Sequence, residues 1–140
     1  MFEKSTDELK NELLKENNIE HFIRKNEDEM YKVTVQEMLG TLLEKYGEKQ
    51  KDIIKRSFIP AGYAYQVFEG RKNASRDKLI RLAMAFPLSV EETNRLIRAG
   101  GYNELYIRNK RDVLILYSLE NKYGVGETNE LLYSNGEELL

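Results

Sequence analysis

Gln50-Lys51-Asp52-Ile53-Ile54-Lys55-Arg56, then Ser57-Phe58-Ile59-Pro60, then Ala61-Gly62-Tyr63-Ala64-Tyr65-Gln66-Val67-Phe68-Glu69-Gly70, is the stretch whose reading decides the fold. It runs on into Arg71-Lys72-Asn73-Ala74-Ser75-Arg76. Ile53, Ile54, Phe58, Ile59, Ala64, Val67 and Phe68 fit two short helices that share one buried face. The four residues 57–60 between them are too few for a long parallel hairpin and force a sharp angle. Pro60 is suited to the first position of the second helix, where an N–H is not needed, and Gly70 to its left-handed end. The segment therefore reads as a helix-turn-helix followed by a basic loop. In such a unit the second helix enters a DNA major groove.

Helical signals continue on both sides. Ser5 with Glu8, Thr34 with Glu37 and Ser89 with Glu92 have the spacing of capping boxes. The first precedes a stripe of Leu9, Leu13 and Leu14. The second precedes Val35, Met38, Leu39, Leu42 and Leu43 with Gly47 as the stop, and the third precedes Val90, Leu96 and Ile97. A short helix with Ile19, Phe22 and Ile23 leads into the charged stretch from Arg24 to Glu29. Gly100-Gly101 reads as a cap and turn. Only Tyr31-Lys32-Val33-Thr34-Val35 alternates like a strand, and it is too short to found a sheet. The fold class expected is all-α.

The segment resembles the phage-repressor-like helix-turn-helix family, the XRE or Cro/C1 type, over roughly residues 35–98. The resemblance rests on Gln50 opening the first helix, Ile53-Ile54 within it, Ile59 in the turn, Val67 with Gly70 closing the second, and Ser75 before Leu79, Leu82 and Ala83. Two positions depart from the family pattern: Phe58 stands where the turn usually has Gly, and Ala74 where the loop usually has Pro. The longer layout is similar to a bacterial branch with an acidic N-terminal extension and an extra C-terminal helical pair. The resemblance implies a five-helix DNA-binding domain over 35–101, an acidic helical extension over 1–34 and a helical hairpin over 102–140 packed on the domain.

It also implies roles. Gln50 would hold a phosphate, helped by the open N–H groups of its helix. Ala61, Gly62 and Gln66 fall where the family reads base edges: Gln66 can pair with adenine, Ala61 can touch only a thymine methyl, and Gly62 reads nothing. Tyr63 and Tyr65 would reach phosphates or sugars, or serve packing. Arg71, Lys72, Asn73 and Arg76 would grip the backbone after the reading helix, with Lys55 and Arg56 adding charge. Such a surface positions more than it specifies, so its selectivity would lean on DNA shape.

Charge agrees in its distribution more than in its total. The 140 residues carry a net −2, yet the net is −5 over 1–48, +6 over 49–81 and −3 over 82–140. A local +6 on the proposed reading helix is an electrostatic footprint for nucleic acid, with a solvated Lys-rich face as the plainer alternative. Zero cysteines exclude disulfides and thiolate metal sites and fit a cytoplasmic location. No apolar run approaches membrane-span length. His21, the one histidine, sits between Glu20 and Phe22 in a structural setting. With no cysteine nucleophile, His pair or Gly-rich phosphate loop, neither an enzyme nor a cofactor or metal is expected.

A repeat marks the C-terminal half. Arg76-Asp77-Lys78-Leu79-Ile80 recurs 35 residues on as Arg111-Asp112-Val113-Leu114-Ile115. At the same offset, Val90-Glu91-Glu92-Thr93-Asn94-Arg95-Leu96-Ile97 recurs as Val125-Gly126-Glu127-Thr128-Asn129-Glu130-Leu131-Leu132. Two helical hairpins follow, the second stacked on the first and burying Leu114, Ile115, Leu131 and Leu132 against it. Two functions remain in view: a DNA-binding transcriptional regulator, acting as a homodimer on double-stranded DNA, and a protein-interaction adaptor working through the acidic N-terminal helices or the C-terminal hairpin.

Overall fold

The computed structural model describes residues 3–26 and 33–140, and every regular element among them is helical: α1 Thr6–Lys15, α2 Ile19–Lys25, α3 Val35–Tyr46, α4 Gln50–Ser57, α5 Ala61–Phe68, α6 Arg76–Ala85, α7 Val90–Ala99, α8 Lys110–Glu120 and α9 Val125–Ser134. The protein is all-α. The strand-like alternation around Tyr31 and Lys32, and the end of the charged stretch at Glu27, Asp28 and Glu29, lie outside the described residues. The chain divides into two compact units, residues 1–32 and residues 33–140.

In the first unit, Ser5 caps α1 by accepting from the Glu8 N–H, and Asn18 caps α2 by accepting from the Glu20 and His21 N–H groups. The two helices bury little. Phe22 is covered and Asn26 is buried among hydrogen bonds to Lys4, Glu12 and the Phe22 carbonyl, whereas Leu13, Leu14, Ile19 and Ile23 are exposed. His21 is exposed and pairs with Glu16.

In the second unit, α3 to α7 enclose one core built on Leu39, Ile53, Val67, Leu79, Leu82, Phe86 and Leu96. Thr34 caps α3 as its spacing predicts, and Gly47 ends it in the left-handed region at φ 61°. The Ser89–Glu92 capping box closes in both directions. Glu92 then reaches across to α3, accepting from the Lys45 ammonium at 2.8 Å and from the Tyr46 hydroxyl. Burial pushes the Glu92 carboxyl up, but the hydrogen bonds from Lys45, Tyr46 and the Ser89 N–H outweigh it and bring it down to about 2 from an ordinary 4.5. A carboxylate depressed in the folded state stabilises the fold above its ordinary value and loses that contribution as pH falls toward its folded value. Acid titration between pH 5 and pH 2 is therefore expected to remove on the order of 2 kcal/mol through this one group, after discounting for its partial solvation. Glu92→Gln should flatten that part of the stability profile. An unchanged profile in the variant would show that the α3–α7 clasp carries no such charge.

The repeat takes a different form from the expected stack. Arg76 donates to both carboxylate oxygens of Asp112, at 3.0 and 2.9 Å, and Arg111 donates to both of Asp77, at 3.0 and 2.9 Å. The surroundings repeat as well. Arg76 also donates to the Asn103 and Glu104 carbonyls, and Arg111 to those of Glu138 and Leu139, each 35 residues on. Asn94 accepts from the Leu105 N–H, as Asn129 does from Leu140. Thr93 donates to the Ser89 carbonyl, as Thr128 does to Gly124.

Reciprocal contact of this kind is the mark of a two-fold relation, in which residue i of one copy meets j of the other and j meets i. In a stack, Arg111 would look onward to a third copy. Consistent with closure, α6 packs on α9 and α7 on α8. The core between the copies draws matching residues from each: Ile80, Met84 and Ile97 against Ile115, Leu119 and Leu132.

Ile115 and Leu132 are fully buried in that core, as expected, but Leu114 and Leu131 are half-buried. They correspond to Leu79 and Leu96, which α3 to α5 cover in the first copy; no described helices cover the second copy in that way. Two positions of its outer face are polar where the first copy's are apolar, Asn121 for Phe86 and Ser134 for Ala99, both exposed, and Tyr117 stands exposed where the equivalent Leu82 is buried.

Candidate nucleic-acid interface

The turn begins with a cost. Ser57 completes α4, its hydroxyl donating to the Ile54 carbonyl at 2.6 Å and accepting from the Ile59 N–H at 3.2 Å. Phe58 follows in the left-handed region at φ 57°, at the place where a helix end favours Gly. The connection is three residues, 58–60, not four. Pro60 is the cap residue, at φ −51° and ψ 129°, one position before the first helical residue it is expected to occupy. Arg81, which sequence reasoning counted only as charge, holds this turn from behind. Its guanidinium donates to the Ser57 carbonyl at 2.9 Å and the Phe58 carbonyl at 2.7 Å. Those are α4's terminal carbonyls, which the helix itself leaves unpaired.

Helix α5 buries Ala64, Val67 and Phe68, exposes Ala61, Gly62 and Tyr65, and leaves Tyr63 and Gln66 half-buried. It ends in a Schellman arrangement: the Arg71 N–H bonds to the Gln66 carbonyl and the Gly70 N–H to that of Val67, with Gly70 at φ 78°. A Cβ at Gly70 would lie 2.4 Å from Gln36 Oε1, the end of an exposed side chain that can swing aside, so it is the left-handed backbone that calls for glycine there. The basic loop is then fastened at two carbonyls, Asn73 by the Tyr63 hydroxyl and Ala74 by the Tyr102 hydroxyl, each at 2.8 Å. Lys78 lies 4.0 Å from the centroid of the Tyr63 ring. Ser75 caps α6.

The helix starts differ in a way that bears on anions. Side chains cap α1, α2, α3, α6, α7 and α8, whereas Lys49 at α4, Pro60 at α5 and Gly124 at α9 supply no side-chain cap hydrogen bond. Both starts of the two-helix unit leave their first N–H groups to an outside acceptor, which is the local chemistry of phosphate binding. Gly62, with open space where a Cβ would stand, lets a partner approach the α5 backbone closely.

The cations divide into two groups. Arg56 donates to the Ala85 carbonyl and to Glu48, and Arg76 uses four of its five donors inside the protein. Arg76, expected to grip the DNA backbone, and Arg56, expected to add charge beside it, both bind the scaffold in this structure. Lys51, Lys55 and Lys72 are exposed, as is Arg71, which pairs with Glu69. Gln50 is half-buried at the start of α4 and Asn73 is exposed on the loop. The +6 of residues 49–81 is thus only partly displayed. No signal in the sequence separated the two groups, because each internal acceptor lies elsewhere in the chain. Among the described residues no cluster of His, Asp and Glu is placed to hold a metal ion, and no helix is long and apolar enough to cross a membrane. Comparison with family models, with curated proteins and with solved structures gave no match.

Proposed function

We propose that this protein is a cytoplasmic DNA-binding transcriptional regulator of the repressor-like helix-turn-helix kind, with no enzymatic role, acting on double-stranded DNA as a homodimer. The observation that carries the reading is the two-helix unit itself. It is backed by two Arg81 hydrogen bonds, uncapped by side chains at both helix starts, and exposes Ala61, Gly62 and Tyr65 beside a half-buried Gln66. Lys51, Arg71 and Lys72, with Gln50, Asn73 and the open N–H groups, hold phosphates; Gln66 is the one side chain suited to a base edge. Pairing two such units on two half-sites supplies the affinity that one small face lacks.

The test is binding to the duplex upstream of its own gene at two salt concentrations. Affinity should fall steeply with salt, and Arg71→Ala or Lys72→Ala should each shallow the log–log slope by about one. Gln66→Ala should lose about 1–3 kcal/mol on the preferred site alone. Absence of binding to every duplex tried at low salt would sink the reading. It would favour the adaptor, for which the exposed Leu13, Leu14, Ile19 and Ile23 of α1 and α2 speak.

A further inference from the structure

Phe58 is exposed over two-thirds of its surface, 67%, in a backbone conformation that glycine would occupy without strain. Neither burial nor conformation accounts for an aromatic ring there. A retained backbone cost points to a use for the side chain. Beside the ring lies a groove of about 470 Å3, rimmed by Phe58, Arg56 and Gly126 and floored by Met84, Ala85 and Val125, which are themselves nearly buried. It exists because α9 of the second repeat begins next to the end of α4. Lys55 stands on one side, exposed and engaged by no neighbour among the described residues. On the other side Glu127 is exposed, its carboxylate taking only a long hydrogen bond, 3.5 Å, from the Gly124 N–H.

One patch therefore carries an apolar knob, an apolar hole, a cation and an anion. Such a patch is complementary to itself: turned through a two-fold axis, knob meets hole and cation meets anion, as an isologous contact requires. We infer that this groove is where a second copy of the chain docks, with Phe58 of each copy seated against Met84, Ala85, Val125 and Gly126 of the other. Lys55 of each then faces Glu127 of the other. The contact names the surface for the dimer of the proposed function and rests on that reading for the dimer's purpose, while its existence is measurable without DNA.

Sedimentation equilibrium of the full chain, free of DNA, from micromolar to millimolar concentration tests it. A monomer–dimer equilibrium is expected. Phe58→Gly should weaken it at least tenfold while leaving the melting temperature unchanged or higher, since Gly relieves the left-handed backbone. Lys55→Glu and Glu127→Lys should each weaken association, and the two together should restore it, because the signs then exchange across the axis. A chain monomeric throughout the range would overturn the inference. So would unaltered association of Phe58→Gly, or a double reversal no better than its singles. DNA binding by a protein that never self-associates would overturn the docking surface alone, and self-association without DNA binding would overturn the proposed function alone.

Discussion

Asp112→Ala is expected to cost about 3–5 kcal/mol of folding stability, the range for removing one partner of a buried ion pair. Its side chain is 9% exposed and receives both ends of the Arg76 guanidinium together with the Tyr106 N–H at 2.9 Å. Burial pushes the Asp112 carboxyl up, but those hydrogen bonds hold it below its ordinary value, so it is charged in the folded protein. Truncation leaves Arg76 with its charge unmatched between the copies. Asp77→Ala provides the internal comparison. It breaks the same geometry at the related site, but Asp77 is 37% exposed and water can replace it. Its cost should be nearer 1–2 kcal/mol. Urea titration with an unchanged slope would measure both. Equal costs would show that burial does not govern these two brackets.

The second large effect lies in the core between the copies. Ile115 and Leu132 are fully buried there, and truncating either to Ala should cost about 3–5 kcal/mol, from lost transfer energy and the cavity left behind. Leu131, next in sequence to Leu132, is half-buried and belongs to the uncovered side. Leu131→Ala should cost roughly 1 kcal/mol. The contrast within one dipeptide tests the orientation of α9. If Leu131→Ala proved the more damaging, the copies would be packed through the other face.

The local features were legible in the sequence because their causes are local. Ser5, Thr34 and Ser89 cap the helices their spacing predicts, Gly70 ends α5, and the turn position that usually holds Gly is the one that takes positive φ. Such signals depend on neighbours within four residues. The repeat was legible too, since it is written twice. What was hidden depends on which distant acceptor a cation finds. Arg76 follows the basic loop and reads as a phosphate ligand, yet its carboxylate lies 36 residues on. Arg81 reads as one more charge and is the prop behind the turn. Leu114 and Leu131 have the residue type of a core position, but only the layout of α3 to α5 tells that these helices cover the first copy and leave the second copy's leucines half-buried. In the candidate interface, the backbone frame and the face of α5 were legible, and the partition of the cations was not.

The crossed brackets also close within two copies. An Arg-Asp dipeptide copied once supplies both donors and both acceptors, so a single duplication delivers two matched ion pairs together, with no further substitution. The same reciprocity engages both guanidinium groups and both carboxylates of the two dipeptides with each other rather than with a third copy. An open array passes each pairing on to the next copy, whereas these two copies exchange theirs between themselves.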